Sequence, residues 1–216
     1  MATELAEVPT PIGTFRIAYD GSRVRWVDLL ERGVSQVDVP ETAHVRRPPF
    51  PVGSPPRQLA EYFRGDRTAF ELTPEIDTTS EFDRSVYRVL LDVPAGRTIT
   101  YGELARRSGH AGAARAVGGA MHRNPIPILI PCHRVVSEDR KLTGFGMGLW
   151  RKRWLPDWEG AWPLASKTIE GPRDPFQRTF DEVSRDGRPI GRPHRRPGHR
   201  RAARRKASAR RRTHPE

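Results

Sequence analysis

Cysteine is nearly absent from this 216-residue chain, which contains only Cys132. A disulfide framework needs paired cysteines and a thiolate zinc site needs several, so both are excluded. Low cysteine usage also fits a reducing compartment, and we therefore expect a cytoplasmic protein.

Long apolar runs are absent as well. No run of about 18 apolar residues occurs, which excludes a membrane-spanning helix. The first ten residues are acidic rather than basic and are not followed by an apolar stretch, so no secretory signal is visible. Apolar residues make up 36% of the chain, enough for one large domain or two small ones with a lean core.

Most of the chain also lacks an excess of either charge, although the net charge is +12. Residues 184–216 hold 13 Arg and Lys against 2 Asp and Glu, whereas the remainder holds 25 against 24. Bulk charge therefore does not make the folded part a nucleic-acid binder. The Arg, Pro, Gly and Ala composition of the end of the chain predicts disorder.

The first third of the chain predicts a small β-rich unit. Apolar residues alternate from Gly13 to Tyr19, as in a half-buried strand, and an Asp-Gly turn leads to a returning strand from Val24 to Leu29. The proline-rich segment His44–Pro56 predicts a loop. An apolar helix face follows, on a short helix that ends near Gly65.

The next unit predicts helices. Apolar residues from Phe82 to Val93 form one stripe of an amphipathic helix. Thr100, with a glutamate three residues later, has the capping-box pattern in front of a short helix through Arg107. A third helix is predicted from Ala113 to His122. Two short helices joined by a glycine-containing turn have the outline of a helix-turn-helix, which many other helical hairpins share.

The third helix is rich in glycine and alanine. Gly118 and Gly119 lie inside it, and each costs a helix about 1 kcal/mol relative to alanine. The slim face that results has two interpretations: tight packing against a neighbouring helix, or close approach to another surface.

Cys132 follows an apolar, proline-punctuated run and directly precedes His133. A nearby imidazole can lower the pKa of a thiol and produce the nucleophilic thiolate. The alternative is an inert core cysteine, since neighbours in sequence need not touch in space.

Short motifs surround Cys132 on both sides. They are GRTITYGELA at 96–105, RAVGG at 115–119, NP at 124–125, PCHRVV at 131–136, GL at 148–149, Lys152 and EG at 159–160. Together these motifs, over about residues 82–160, resemble the active-site region of the O6-alkylguanine-DNA alkyltransferases, also called methylated-DNA–protein-cysteine methyltransferases. A looser similarity covers TPIG at 10–13 and LAEYF at 59–63.

The resemblance implies a single displacement onto sulfur. The Cys132 thiolate attacks the alkyl carbon on guanine O6, guanine leaves restored, and the thioether is not hydrolysed, so each molecule acts once. By the same resemblance His133 is the base that takes the thiol proton through a water, and Glu159 is the carboxylate that orients its imidazole. Tyr101 and Lys152 correspond to residues that help the purine to leave. Neither a cofactor nor a metal takes part.

The resemblance also implies binding to double-stranded DNA that carries alkylated bases. The damaged base must leave the stack to reach a buried thiol, and the glycine-rich helix lies in the minor groove, which carries little sequence code. We therefore expect salt-sensitive binding that is nearly independent of sequence. The residues placed at this interface are Ala114, Arg115, Gly118, Gly119, Asn124 and Arg134. Arg115 fills the position that the base vacates, and Asn124 ties the helix to the cysteine turn.

The expected fold is a two-domain α/β protein. In the family, residues 1–78 would form a small antiparallel sheet with helices, ribonuclease-H-like, and residues 79–160 a helical, winged-helix-like DNA-binding domain that holds Cys132. Residues 161–216 follow as a mostly disordered Arg/Pro-rich tail. We expect a monomer without an obligate protein partner.

Two departures from the family pattern bear on the reaction. Pro156 is expected to interrupt the last helix and thereby to displace Glu159. Gly146 and Met147 replace small or polar residues in the loop that lines the alkyl pocket. The size of the alkyl group, and whether O4-alkylthymine is a second substrate, therefore stay open.

A different function is that of a non-enzymatic, alkyltransferase-like protein that binds DNA lesions. Such proteins keep the DNA-binding helix but lack the cysteine, and Cys132 is present here. For the basic tail three hypotheses stay open: a nonspecific DNA tether that raises the encounter rate, a solvated extension without a function, and, in a nucleated cell, a nuclear address at 204–206 and 210–212.

Overall fold

The computed structural model describes residues 3–30, 44–78, 80–139 and 141–161. The predicted disordered tail, 161–216, lies outside these ranges except for Ala161. The strands are β1 (Glu4–Thr10), β2 (Gly13–Asp20), β3 (Arg23–Leu29), β4 (Val45–Arg46), β5 (Thr73–Pro74), β6 (Ile99–Thr100) and β7 (Val135–Val136). The helices are α1 (Pro55–Arg64), α2 (Glu81–Leu91), α3 (Tyr101–Arg107), α4 (Ala114–His122) and α5 (Leu149–Glu159), with a 3-10 turn at Cys132–Arg134.

The first unit is built on a five-stranded sheet in the order β4-β1-β2-β3-β5. β1, β2 and β3 are antiparallel neighbours, and the pairing of β2 with β3 confirms the predicted hairpin. The short edge strands differ, because β4 runs parallel to β1 and β5 runs parallel to β3. The sheet is therefore mixed rather than antiparallel throughout. In β2 the alternating residues Phe15 and Ile17 are fully buried against the helical side of the sheet.

The sequence prediction omits β1, because acidic residues break its apolar pattern. The structure buries one of them: Glu7 pairs with Arg16 at 2.7 Å and with Arg47 at 3.0 Å. Burial raises the pKa of the Glu7 carboxyl, but the two guanidinium groups outweigh it and hold the pKa below its ordinary value. A strand can therefore carry this carboxylate near the core.

The prediction of a loop over His44–Pro56 is wrong at both ends, since that segment contains β4 and the start of α1. Pro55 is tolerated there because the first turn of a helix does not use its amide donors. α1 packs on β1 and β2, where the ring of Phe63 stacks on Phe15 with centroids 5.6 Å apart. Gly65, at φ 82°, ends the helix as predicted.

The second unit contains the predicted helices. Thr100 Oγ1 accepts a hydrogen bond from the Glu103 amide at 3.1 Å, while the Glu103 carboxylate turns to Arg106, so only half of the capping box forms. α3 packs against α4 across a turn in which Gly109 has φ 85°, a backbone conformation that favours glycine. The helix-turn-helix outline is thus present.

Two long-range connections bring the cysteine segment into place. β6 pairs in parallel with β7, with Ile99 opposite Val135, so the start of α3 lies beside the turn that carries Cys132. On the other side the Val27 amide donates to the Pro125 carbonyl at 3.0 Å, which joins the sheet of the first unit to the same segment.

α5 runs without interruption from Leu149 to Glu159, which corrects the expectation for Pro156. A proline inside a helix removes one amide donor, yet this one lies in the last turn, is buried, and is followed by a left-handed Gly160 that closes the helix. Glu159 is therefore not displaced. None of the described helices is long and apolar enough to cross a membrane.

Candidate active site

The loop in front of Cys132 is held by Asn124. The Asn124 side chain donates to the Ile130 carbonyl at 2.8 Å and accepts from the Ile126 amide at 3.0 Å. Between them Ile128 has φ 77°, an unfavourable value for a β-branched residue, and its side chain is buried. The two hydrogen bonds of Asn124 thus fix the conformation of the loop, and Asn124 links the end of α4 to the cysteine turn.

Cys132 lies at the wall of a cavity of about 730 Å³, although only 4% of the residue is exposed. Pockets of this size hold drug-sized ligands, so a nucleobase fits. The cavity is lined by residues of α3, α4, α5 and the loop after β7, among them Tyr101, Ala114, Arg115, Gly118, Met121, Glu138, Phe145 and Lys152. The cysteine is therefore buried, but at a site that a ligand can reach.

His133, the residue after Cys132, forms a buried pair with Glu159. His133 Nε2 lies 3.0 Å from Glu159 Oε1, and both side chains are at most 1% exposed. Since a carboxylate only accepts, the imidazole carries its proton on Nε2 and keeps a lone pair on Nδ1. Nδ1 is buried without a hydrogen-bond partner among the described residues, so it is available to accept a proton.

The charges of these groups follow from burial and from their neighbours. Burial favours the neutral form of Glu159, but His133 and Arg134 outweigh it and hold the pKa of this carboxyl well below its ordinary value. Burial lowers the pKa of His133, and it raises the pKa of the Cys132 thiol despite the opposing effects of Asn124 and Lys152. The resting site therefore combines a neutral thiol, a neutral imidazole and a carboxylate, and the thiol needs a base to become a nucleophile.

Tyr101 and Lys152 face the same cavity. Lys152 is buried, and its Nζ donates to the Tyr101 hydroxyl at 3.0 Å and to the Thr143 carbonyl at 2.7 Å. The Tyr101 oxygen thus accepts from an ammonium group, which leaves the phenol proton to be donated to a ligand in the cavity.

The glycine-rich helix α4 presents an exposed face at the edge of the cavity. A Cβ atom placed on Gly118 meets no atom within 4 Å, whereas on Gly119 it meets the Arg123 guanidinium at 3.2 Å, a group that two hydrogen bonds hold to Asp83. Packing against a neighbouring helix is therefore the wrong interpretation of Gly118. Arg115 is exposed beside it, so this face is open to a second molecule.

The expectation that Arg134 contacts DNA is wrong in this structure. Its side chain is 8% exposed, and its Nε and Nη2 donate to Glu159 while Nη1 donates to the Val93 carbonyl. All three nitrogens are therefore engaged inside the protein, and Arg134 anchors Glu159.

Sequence reasoning missed one residue of this network. The Tyr62 hydroxyl, which comes from α1, donates to Glu159 Oε1 at 2.8 Å. The apolar pattern of α1 places Tyr62 on the buried face, but it carries no signal for the partner that the hydroxyl reaches.

No group of three or more His, Cys, Asp or Glu residues in the described part of the chain could hold a metal ion.

Comparison with known proteins gives consistent matches. The family model for the DNA-binding domain of 6-O-methylguanine DNA methyltransferase matches residues 81–161. The methylated-DNA–protein-cysteine methyltransferase of Methanosarcina acetivorans is 40% identical over 154 residues, which cover 70% of this chain and 95% of that protein. The protein of the same name from Mycobacterium tuberculosis is 38% identical over 162 residues, covering 75% and 95%.

Solved structures agree with these matches. The crystal structure of the M. tuberculosis O6-methylguanine methyltransferase has a TM-score of 0.62 at 36% identity and covers 76% of this chain and 97% of its own. The OGT of that organism in complex with DNA has a TM-score of 0.61 at 36% identity, covering 73% and 93%. The fold and its relatives thus define an enzyme of DNA repair that transfers alkyl groups. The chain belongs to the methylated-DNA–protein-cysteine methyltransferase family.

Proposed function

We propose that this protein repairs DNA by moving a methyl or larger alkyl group from guanine O6 to the sulfur of its own Cys132. The observation that carries the proposal is a thiol at the wall of a nucleobase-sized cavity, directly before an imidazole that a buried carboxylate orients. We assign the reaction to residues 79–160, a winged-helix-like domain, behind a ribonuclease-H-like domain at 1–78. The protein acts as a monomer without a cofactor.

The reaction begins with the transfer of the thiol proton to His133 Nδ1 through a bridging water. The thiolate then attacks the alkyl carbon, a sulfur–carbon bond forms, and the bond between that carbon and guanine O6 breaks. Glu159 stabilises the imidazolium that results, because it already accepts from Nε2. The electron pair of the broken bond remains on guanine.

Tyr101 completes the departure of guanine. Its hydroxyl donates a proton to a ring nitrogen of the leaving base, and the ammonium of Lys152, 3.0 Å away, stabilises the phenolate that forms. The proton on His133 later returns to Tyr101 through solvent, so the balance is one thiol and one alkylguanine consumed, one thioether and one guanine formed. Because the thioether has no route back to a thiol, each molecule acts once.

DNA reaches the cavity along α4. The M. tuberculosis relative has been solved with DNA, and the α4 face of this chain combines an open Gly118 with an exposed Arg115 at the rim of the cavity. We propose that Ala114, Gly118 and Gly119 lie against the minor groove while the damaged base flips into the cavity and Arg115 takes its place. Few base edges are read in that groove, so binding has little sequence preference.

A non-enzymatic, lesion-binding protein is the alternative, and the ordered Cys132–His133–Glu159 arrangement favours the enzyme over it. The test is a DNA duplex with radiolabelled O6-methylguanine. We expect the label to move to the wild-type chain and not to Cys132→Ala, while both bind the duplex. Label that stays on the DNA, or equal labelling of the variant, would contradict the proposal. A second duplex with O4-methylthymine shows whether that base is also a substrate.

A further inference from the structure

We propose that Tyr62 is a positioning residue for alkyl transfer: its hydroxyl, supplied by the first unit, fixes the Glu159 carboxylate that orients His133. The inference rests on the proposed function, because it concerns the rate of the same reaction. It gives the first unit, which contributes no reacting atom, a direct part in the chemistry.

The contact occurs where the ends of α1 and α5 meet. The Trp158 indole donates to the Tyr62 carbonyl at 3.2 Å, and one residue further along α5 the Tyr62 hydroxyl donates to Glu159 Oε1 at 2.8 Å. The indole also packs on the end of α1, 3.6 Å from where a Cβ of Gly65 would be. Two hydrogen bonds in opposite directions therefore hold this tyrosine against the last turn of α5.

The ring of Tyr62 has little freedom. The residue is 2% exposed, and its ring packs edge-on against Phe63, with centroids 5.1 Å apart, and against Phe70 at 5.3 Å. Burial, followed by the negative charge of Glu159, raises the pKa of Tyr62 well above its ordinary value. The phenol therefore stays protonated and remains a donor throughout the pH range of the reaction.

Three groups converge on Glu159. His133 and Arg134 approach from the cysteine turn, and Tyr62 approaches from α1. His133 is the group that the carboxylate must orient, and Arg134 is its neighbour on the same turn, held in addition by the Val93 carbonyl. Tyr62 is the donor that comes from the first unit, so it fixes the carboxylate from a side that the turn does not supply.

Removal of the Tyr62 hydroxyl should slow the transfer and raise the apparent pKa of His133. The carboxylate gains freedom to rotate, so the imidazole aligns less well with the thiol and transfer slows. The carboxylate also loses a donor and carries more effective charge, which stabilises the imidazolium and raises the apparent pKa of His133, a residue that Arg134 and Lys152 also influence. Because a base with a higher pKa loses its proton only at higher pH, the ascending limb of the pH–rate profile shifts to higher pH.

The experiment compares full-length wild type, Tyr62→Phe and Tyr19→Phe. Tyr19 is a matched control, since it is a buried tyrosine of the same unit whose hydroxyl donates to a different carboxylate, Glu4, at 3.3 Å. Single-turnover methyl transfer is measured at saturating O6-methylguanine duplex across pH. DNA affinity and thermal unfolding are recorded for each chain.

We expect Tyr62→Phe to transfer about tenfold more slowly at neutral pH, the effect of losing one donor to a charged group. We also expect its ascending limb at higher pH and its DNA affinity unchanged, with Tyr19→Phe like wild type. An unchanged rate, or a slower rate without a shift of the limb, would overturn the inference.

Trp158→Phe supplies the second variant, because it loosens the contact between α1 and α5 but keeps the Tyr62 hydroxyl. It should retain the wild-type pH profile. A Tyr62→Phe chain that does not fold while Trp158→Phe does would make the hydroxyl structural and would also overturn the inference. Absence of methyl transfer by the wild type contradicts the proposed function instead, so the two failures are distinguishable.

Discussion

The two units of this protein treat buried polar groups differently. In the first unit Glu7, Thr10 and Gln58 bond to groups of the same unit: Gln58, for example, accepts from the Glu71 amide at 2.9 Å and donates to the Gly53 carbonyl at 2.9 Å. In the second unit Asn124 and Lys152 both influence Cys132, and the buried His133 directly follows it in the chain. Buried polar groups cost stability unless they are paired, so a cluster at one cavity indicates function.

Glu159 is where the two units meet, and replacing it tests the comparison most severely. In Glu159→Gln the side chain keeps its shape but loses its charge, so the imidazolium is no longer stabilised and Arg134 becomes an uncompensated buried cation. We expect methyl transfer to fall about a thousandfold and stability to fall by about 3 kcal/mol. Single-turnover kinetics and urea unfolding measure both. A variant with the wild-type rate would show that the pair with His133 is structural.

The same substitution predicts a pH dependence of stability. The folded pKa of Glu159 is depressed, so its contribution is complete above the ordinary value of 4.5 and is lost as pH falls towards the folded pKa. The difference in unfolding free energy between wild type and Glu159→Gln should therefore shrink between about pH 5 and pH 3. Urea titrations over this range give the difference, and a constant or growing gap would refute the depressed pKa.

The sequence predicts the individual elements of this fold better than the connections between them. The hairpin of β2 and β3 and the helices α2 to α4 follow from alternation, apolar stripes and caps, which are local signals. β1 was hidden because Glu7 is buried through Arg16 and Arg47, and those partners lie 9 and 40 residues away.

The site residues also fall into those that a local motif predicts and those that only a long-range contact reveals. Cys132 and His133 stand together in a motif, whereas Tyr62 reaches Glu159 across 97 residues, a contact that no local pattern indicates. Arg134 shows the limit of assigning roles by residue type, since a basic residue beside the cysteine proves to anchor a carboxylate.

Tyr101→Phe separates base departure from nucleophile activation within the second unit. The ring remains, but the hydroxyl that Lys152 contacts is gone, so the leaving guanine receives no proton. We expect transfer about a hundredfold slower, with DNA affinity and the alkylation of Cys132 by iodoacetamide unchanged. If the iodoacetamide reaction slows equally, Tyr101 acts on the thiol and not on the base.

Gly118→Leu tests whether the α4 face belongs to DNA or to the fold. Because a side chain at Gly118 meets open space, and leucine favours a helix over glycine, the folded protein should be unchanged or more stable by about 0.5–1 kcal/mol. DNA affinity should fall about tenfold, since the helix can no longer approach the minor groove. Calorimetry and fluorescence anisotropy provide the two values, and a loss of stability with normal DNA binding would restore the packing interpretation.

The smallest effect is expected outside both units. Deletion of residues 184–216 removes 13 basic residues, so nonspecific DNA affinity should fall several-fold at low salt and its salt dependence should flatten. Methyl transfer at saturating DNA should not change. Equal affinities of the full and shortened chains at low salt would rule out the tether.

The most direct test of the whole account is a stoichiometric titration of the protein with a duplex that carries O6-methylguanine, followed by mass spectrometry of the intact chain and of its peptides. We predict that uptake stops at one methyl group per chain and that this group is on Cys132. Continued turnover, a methyl group on another residue, or none at all would contradict the central claim.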